Sequence, residues 1–215
     1  MRGLLRKELS GLWSLYRKTL PMIAVLYAVL NLVTKNDFFL YFGVWMMLFY
    51  SLSGMSLDES CGWGRYARTL PVSDWQVVGA KFLVSLVYSG GAVLYGAALG
   101  VAQRIITGEK GYADLIGGLL AVLVVSMVMV FLMYPMAFRF GLEKARNGFL
   151  VVWVAIFGGG MLFGSKLEQV LPLEAVLRNM AARPLLWAGG ALVTALVVMA
   201  LCYVSSVRIY SKKEF

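Results

Sequence analysis

The stretch LIGGLLAVLVVSMVMVFLMYPMAF, residues 115–138, runs for 24 positions without a formal charge. As a helix rising about 1.5 Å per residue it reaches roughly 36 Å, enough to cross the roughly 30 Å hydrocarbon core of a bilayer. Five further intervals are equally free of charge: 19–34, 38–57, 82–103, 147–165 and 184–207. All 31 charged residues fall into short clusters around these intervals. Ser73 followed by Gln76 has capping-box spacing, which starts a helix at Asp74 and carries the third span back to near residue 77. The first interval has only 16 residues, but Arg17, Lys18 and Lys35 can snorkel at its two ends. The predicted fold is a single all-α transmembrane domain over residues 1–215. Its six spans lie near 19–34, 38–57, 77–103, 115–138, 147–165 and 184–207.

Composition agrees with this reading. Of the 215 residues 60% are hydrophobic and 14% charged, with a mean hydropathy of +0.78. Soluble domains sit near 45–50% and about 25%, and so few charges could not cover a soluble fold of this size. The formal charge is +9. Sorted by the alternation of spans, residues 1–18, 58–81, 139–146 and 208–215 carry 14 basic and 6 acidic residues, net +8. The segments 35–37, 104–114 and 166–183 carry 6 and 5, net +1. The excess of Lys and Arg on one side places both termini in the cytoplasm. The basic balance is thus a topological signal and requires no nucleic acid.

Several chemistries are excluded. The chain has no histidine, so it has no Ser-His or Cys-His nucleophile pair and no imidazole-ligated haem. Cys61 and Cys202 are too few for a metal cage. No phosphate-binding loop ending in Gly-Lys-Ser/Thr occurs, so the chain has no nucleotide-hydrolysing site of its own. The span interiors hold hydroxyls, with Asn31 and Gln103 near their ends, but no ionisable group to couple transport to an ion gradient. Energy for uphill movement is then expected from a partner, with sodium held by serine hydroxyls and backbone oxygens as the alternative.

Residues 1–18 form a predicted amphipathic helix lying in the membrane interface, an elbow before the first span. Leu5, Leu9, Leu12, Trp13 and Tyr16 share one face, with Arg6, Lys7, Ser10, Ser14 and Arg17 opposite and toward lipid headgroups. Glu8 lies in the same helix. Gly96 and Gly100 in the third span, and Gly160 and Gly164 in the fifth, have the spacing of close helix packing, with a mobile role as the alternative. Pro135 removes a backbone donor near the end of the fourth span.

The loop 58–76 is the longest on the cytoplasmic side, yet it holds Trp63, Tyr66, Leu70, Val72 and Trp75. Such residues call for contact with the membrane surface or another protein. The pattern Asp58-Glu59, Trp63, Arg65-Tyr66, Leu70-Pro71-Val72-Ser73, Val77-Val78 and Lys81 resembles the type-2 ATP-binding-cassette (ABC) exporter permeases. More narrowly, it is similar to their small six-span bacterial members, whose ATPase is a separate chain. Leu5-Arg6-Lys7-Glu8 before the first span is similar as well.

The resemblance implies a non-catalytic permease subunit of the bacterial cytoplasmic membrane. It would pair with a second permease copy and with an ATPase dimer that binds ATP and Mg. Its coupling element would be Asp58, Glu59, Trp63, Arg65, Tyr66, Arg68, Leu70 and Pro71. On that reading Arg65 and Arg68 pair with acids of the ATPase while Tyr66 and Leu70 fill its groove. The external segment 166–183, with Leu171, Pro172 and Leu177, would either cap the path as short helices or lie in the interface. A path without fixed charge suits an amphipathic cargo such as a peptide toxin or antibiotic. The competing reading is an accessory membrane protein, a sensor, scaffold or immunity factor, with no path of its own.

Overall fold

A computed structural model describes residues 2–108, 111–152, 154–155 and 184–213. Among the described residues the chain is helical throughout, with no strand. The helices are α1 (Arg2–Tyr16), α2 (Thr19–Thr34), α3 (Asp37–Phe49), α4 (Ser53–Ser60), α5 (Trp63–Ala67), α6 (Asp74–Thr107), α7 (Tyr112–Phe140) and α8 (Pro184–Ser211). A single 3-10 turn, Tyr50–Leu52, joins α3 to α4 without a break. The chain is also helical over residues 142–152.

Four helical stretches are long and apolar enough to cross a membrane: Asp37–Ser60, Asp74–Thr107, Tyr112–Phe140 and Gly189–Ser211. Helices α1 and α2 pass the same test only as a pair, bent by 63°. The bend is the elbow, since α2 alone spans about 24 Å. The protein is therefore a multi-pass membrane protein with four or five spans in its described part. The predicted fifth span falls mostly outside the described residues, as do Gly160, Gly164, Leu171, Pro172 and Leu177.

Helix ends follow local chemistry. Lys35 takes the left-handed conformation after α2 (φ 53°), and the Asn36 side chain accepts the Phe38 amide at 2.9 Å to cap α3. This closes the tight α2–α3 hairpin. Ser73 caps α6 by accepting the Gln76 amide while the Gln76 side chain accepts the Ser73 amide, each at 3.3 Å. Helix α6 therefore starts at Asp74, where the capping-box spacing puts it. Helix α7 runs on past Pro135 to Phe140.

Helices α6 and α7 form the centre. Helix α6 packs on α1, α3, α7 and α8, and α7 also packs on α3 and α8. Aromatic rings bind the three long helices together. Phe82 stacks on Phe131 (5.2 Å) and Tyr134 (4.7 Å) and meets Tyr203 edge-on (5.3 Å). Phe138 continues the column to Tyr210 at 5.6 Å. Gly96 and Gly100 lie where neighbouring side chains come closest. A Cβ on Gly96 would sit 2.6 Å from Val44 Cγ2 and 2.8 Å from Leu119 Cδ2, and one on Gly100 would sit 2.4 Å from Leu115 Cδ1.

Two expectations change. Residues 58 and 59 belong to the last turn of α4, not to a loop, so the connection is shorter than 58–76. In α1 the buried residues are Leu4, Glu8 and Leu12, one stripe at four-residue spacing, while Trp13 is 63% exposed. The inward face is thus rotated from the predicted Leu5–Leu9–Leu12–Trp13–Tyr16 face. The elbow has protein on one side and lipid on another, and both are apolar, so hydropathy alone cannot tell them apart.

Candidate functional site

The segments predicted to share one side meet at one end of the bundle, here termed the basic end. It gathers α1, α4, α5, the start of α6, the end of α7 and the end of α8. Helix α4 stops at Ser60, and Gly62 then takes a left-handed turn (φ 64°) that redirects the chain into α5. Glycine suits this position because a Cβ would be strained there. Helix α5 is pinned by Ala67, which is 4% exposed. Around that anchor Arg65, Tyr66 and Pro71 are exposed, and Leu70 is half-buried. Tyr66 leaves 58% of its surface open, and the Arg65 guanidinium has no ion pair among the described residues.

Behind α5 lies a cluster of four charges from three elements. The Lys81 ammonium donates to Glu8 Oε1 at 3.0 Å and to Asp58. Lys7 donates to the other Asp58 oxygen and to Glu8 Oε1 at 3.2 Å. The Lys7 ammonium also stands 4.1 Å from the centre of the Trp63 ring. The Lys81 and Glu8 side chains are only 6% and 7% exposed, and Asp58 is 14% exposed. Burying charge is costly unless it is paired, and here two acids and two bases alternate so that each partner is satisfied. Gly54 makes room for this, since a Cβ there would lie 3.1 Å from Glu8 Oε2.

Two more polar ties hold the connection. The Glu59 carboxylate accepts the Leu142 amide at 3.0 Å, next to Gly141 (φ 89°). It therefore sits at the positive end of the helical segment that begins at residue 142. Arg68 pairs with Asp74 at 3.2 Å, donates to the Tyr210 carbonyl at 2.7 Å and lies 5.1 Å from the Tyr210 ring centre. The residues expected to act together thus divide into two sets. Arg65, Tyr66 and Pro71 face outward, while Asp58, Glu59 and Arg68 engage this chain's own helices. Arg68, expected to reach for a partner's acids, makes an internal pair while its side chain stays 39% exposed. Asp74, six residues on, and the end of α8 lie within its reach.

A cleft of about 360 Å³ opens beside α5, walled by Asp58, Trp63, Lys81, Phe138 and Tyr210. Among the described residues no nucleophile–base pair stands in it. Its floor is the paired charge of Asp58 and Lys81, and its walls are aromatic. Of the elbow residues, Arg6 is exposed, Lys7 and Glu8 belong to the cluster, and Trp13 points away from the bundle.

The opposite end carries a half-buried ion pair. Arg104, 4% exposed, binds Asp37 at 3.1 Å and donates to the Gly111 carbonyl at 3.0 Å. Lys81 and Arg104 are 23 residues apart on α6, roughly 35 Å along its axis. That separation matches a hydrocarbon core with its boundaries. Between them Ser85 bonds to Ser51 (3.0 Å) and to Tyr134 (2.6 Å), so these interior hydroxyls satisfy one another.

Reading the sequence missed that Glu8, Asp58 and Lys81 share one site, and that Asp37 and Arg104 share another. A signal was present: each residue flanks a span on the same side as its partner. A family model described as ABC-2 family transporter protein matches residues 3–211, nearly the whole chain. No curated protein and no solved structure matches it.

Proposed function

The chain belongs to the ABC-2 transporter family, and from that premise we propose that it is the permease subunit of an ATP-driven exporter whose ATPase is a separate polypeptide. It is non-catalytic; ATP and Mg are bound by the partner. The observation that carries this reading is the outward set on α5. A largely open Tyr66 ring stands beside an exposed Arg65, which has no ion pair among the described residues, on a short helix braced from behind by buried charge. An exposed aromatic next to an exposed guanidinium is the composition of an interface anchor.

In this reading six spans place both termini in the cytoplasm, supported by the 14-to-6 division of basic residues. The chain sits in the bacterial cytoplasmic membrane, and two copies enclose the path. Closure of the ATPase pair moves α5 of each copy, and the bundles rock between inward and outward openings. The cargo is amphipathic, of the class of peptide toxins and antibiotics. Support comes from the uncharged length of α6 between Lys81 and Arg104, which gives the path no fixed charge to select an ion.

Affinity capture of the tagged chain from its native membranes tests this. ATP hydrolysis should co-purify with the wild type and be lost from the Tyr66→Asp variant, which still inserts. A captured wild-type chain without ATPase activity would instead support an accessory membrane protein.

A further inference from the structure

Asp58 and Glu59 are consecutive on the last turn of α4, so their side chains leave the helix about 100° apart. They use that divergence to reach different elements. Asp58 bridges Lys7 of α1 and Lys81 of α6, and Glu59 holds the amide of Leu142. Arg68, past the far end of α5, grips Asp74 at the start of α6 and the Tyr210 carbonyl of α8. The segment bearing Arg65 and Tyr66 is therefore tied on both sides to four helical elements. We propose that Asp58, Glu59 and Arg68 are positioning residues that carry the displacement of α5 into the spans and do not themselves bind the ATPase. The proposal rests on the permease reading.

Two physical points favour transmission over simple stability. A buried ion cluster stabilises no more than a well-packed apolar one would, but it fixes a single arrangement of the groups it joins. Apolar surfaces can also slide past each other at little cost, whereas charge-assisted hydrogen bonds are directional and hold register. A helix pushed from outside through such ties moves its neighbours with it.

The test uses the full chain in complex with its ATPase, in vesicles loaded with an amphipathic cationic peptide. Two changes are compared with wild type. The double variant Asp58→Asn, Lys81→Gln removes one acid and one base and leaves the cluster neutral. Glu59→Ala removes the tie to residue 142 at an exposed position, where folding should tolerate it, and Glu59→Gln keeps an accepting oxygen as the conservative control. Expected in both test variants is wild-type capture of the ATPase, retained ATP hydrolysis, and about a tenfold fall in peptide moved per ATP. Glu59→Gln should recover most of that loss. Peptide moved per ATP within about twofold of wild type in both variants overturns the proposal, because coupling along a real route should cost more than that. So does loss of ATPase capture, which would make these residues part of the docking surface. A wild-type chain that captures no ATPase removes the permease reading itself, an outcome separate from either.

Discussion

Lys81 shows how much one side chain can organise. Its ammonium is nearly sealed from water and is shared by two carboxylates from different helices. Replacing it with Met leaves Glu8 and Asp58 facing each other with Lys7 alone. Unpairing a buried charge of this kind costs about 3–5 kcal/mol, so Lys81→Met should lower the thermal midpoint of the detergent-solubilised protein steeply. Arg65→Ala removes an exposed charge that makes no ion pair among the described residues. It should change stability by about 0.5 kcal/mol or less while weakening ATPase capture. The same thermal scan separates the two, and equal losses would dissolve the distinction between braced and outward residues.

Elements depend on caps and close approaches that local sequence specifies. Ser73→Ala removes the acceptor for the Gln76 amide and should cost about 1 kcal/mol, concentrated in the first turn of α6. Faster hydrogen exchange at Gln76 and Val77, with the rest of α6 unchanged, is the expected readout. Gly96 faces Val44, a β-branched residue with little rotamer freedom, at 2.6 Å from any added Cβ. Gly96→Ala should therefore destabilise the α3–α6 contact by about 1–3 kcal/mol, measured as a lower thermal midpoint. The capping box was legible because its signal lies within four residues. The inward face of α1 was not, because the contrast between protein and lipid is invisible to hydropathy.

On the scale of the molecule, the charge clusters assort by end. Lys7, Glu8, Asp58, Lys81 and Arg68 meet at one end, and Asp37 and Arg104 at the other. Cys61 is exposed at the basic end and Cys202 is buried, so the native cysteines provide a test of orientation. A membrane-impermeant maleimide should label Cys61 in inside-out vesicles and leave it unlabelled in intact cells. Labelling in intact cells would reverse the predicted topology.

The sequence by itself determined the class of the protein and the place of the four helices long and apolar enough to cross a membrane. Long uncharged runs can satisfy their backbone groups in a bilayer only as helices, and the charges between them mark the boundaries. Among the described residues it also determined which segments gather at each end, because successive spans run in alternating directions. The tertiary structure alone decided which charges meet. Helix rotation and depth bring Asp58 to Lys7 and Lys81, set Arg68 against Asp74 and Tyr210, and leave Arg65 and Tyr66 facing out. Pairing of that kind depends on distances of a few ångströms between residues as many as 142 positions apart, from Arg68 to Tyr210. No periodicity along the chain encodes such distances; they arise only when the helices pack.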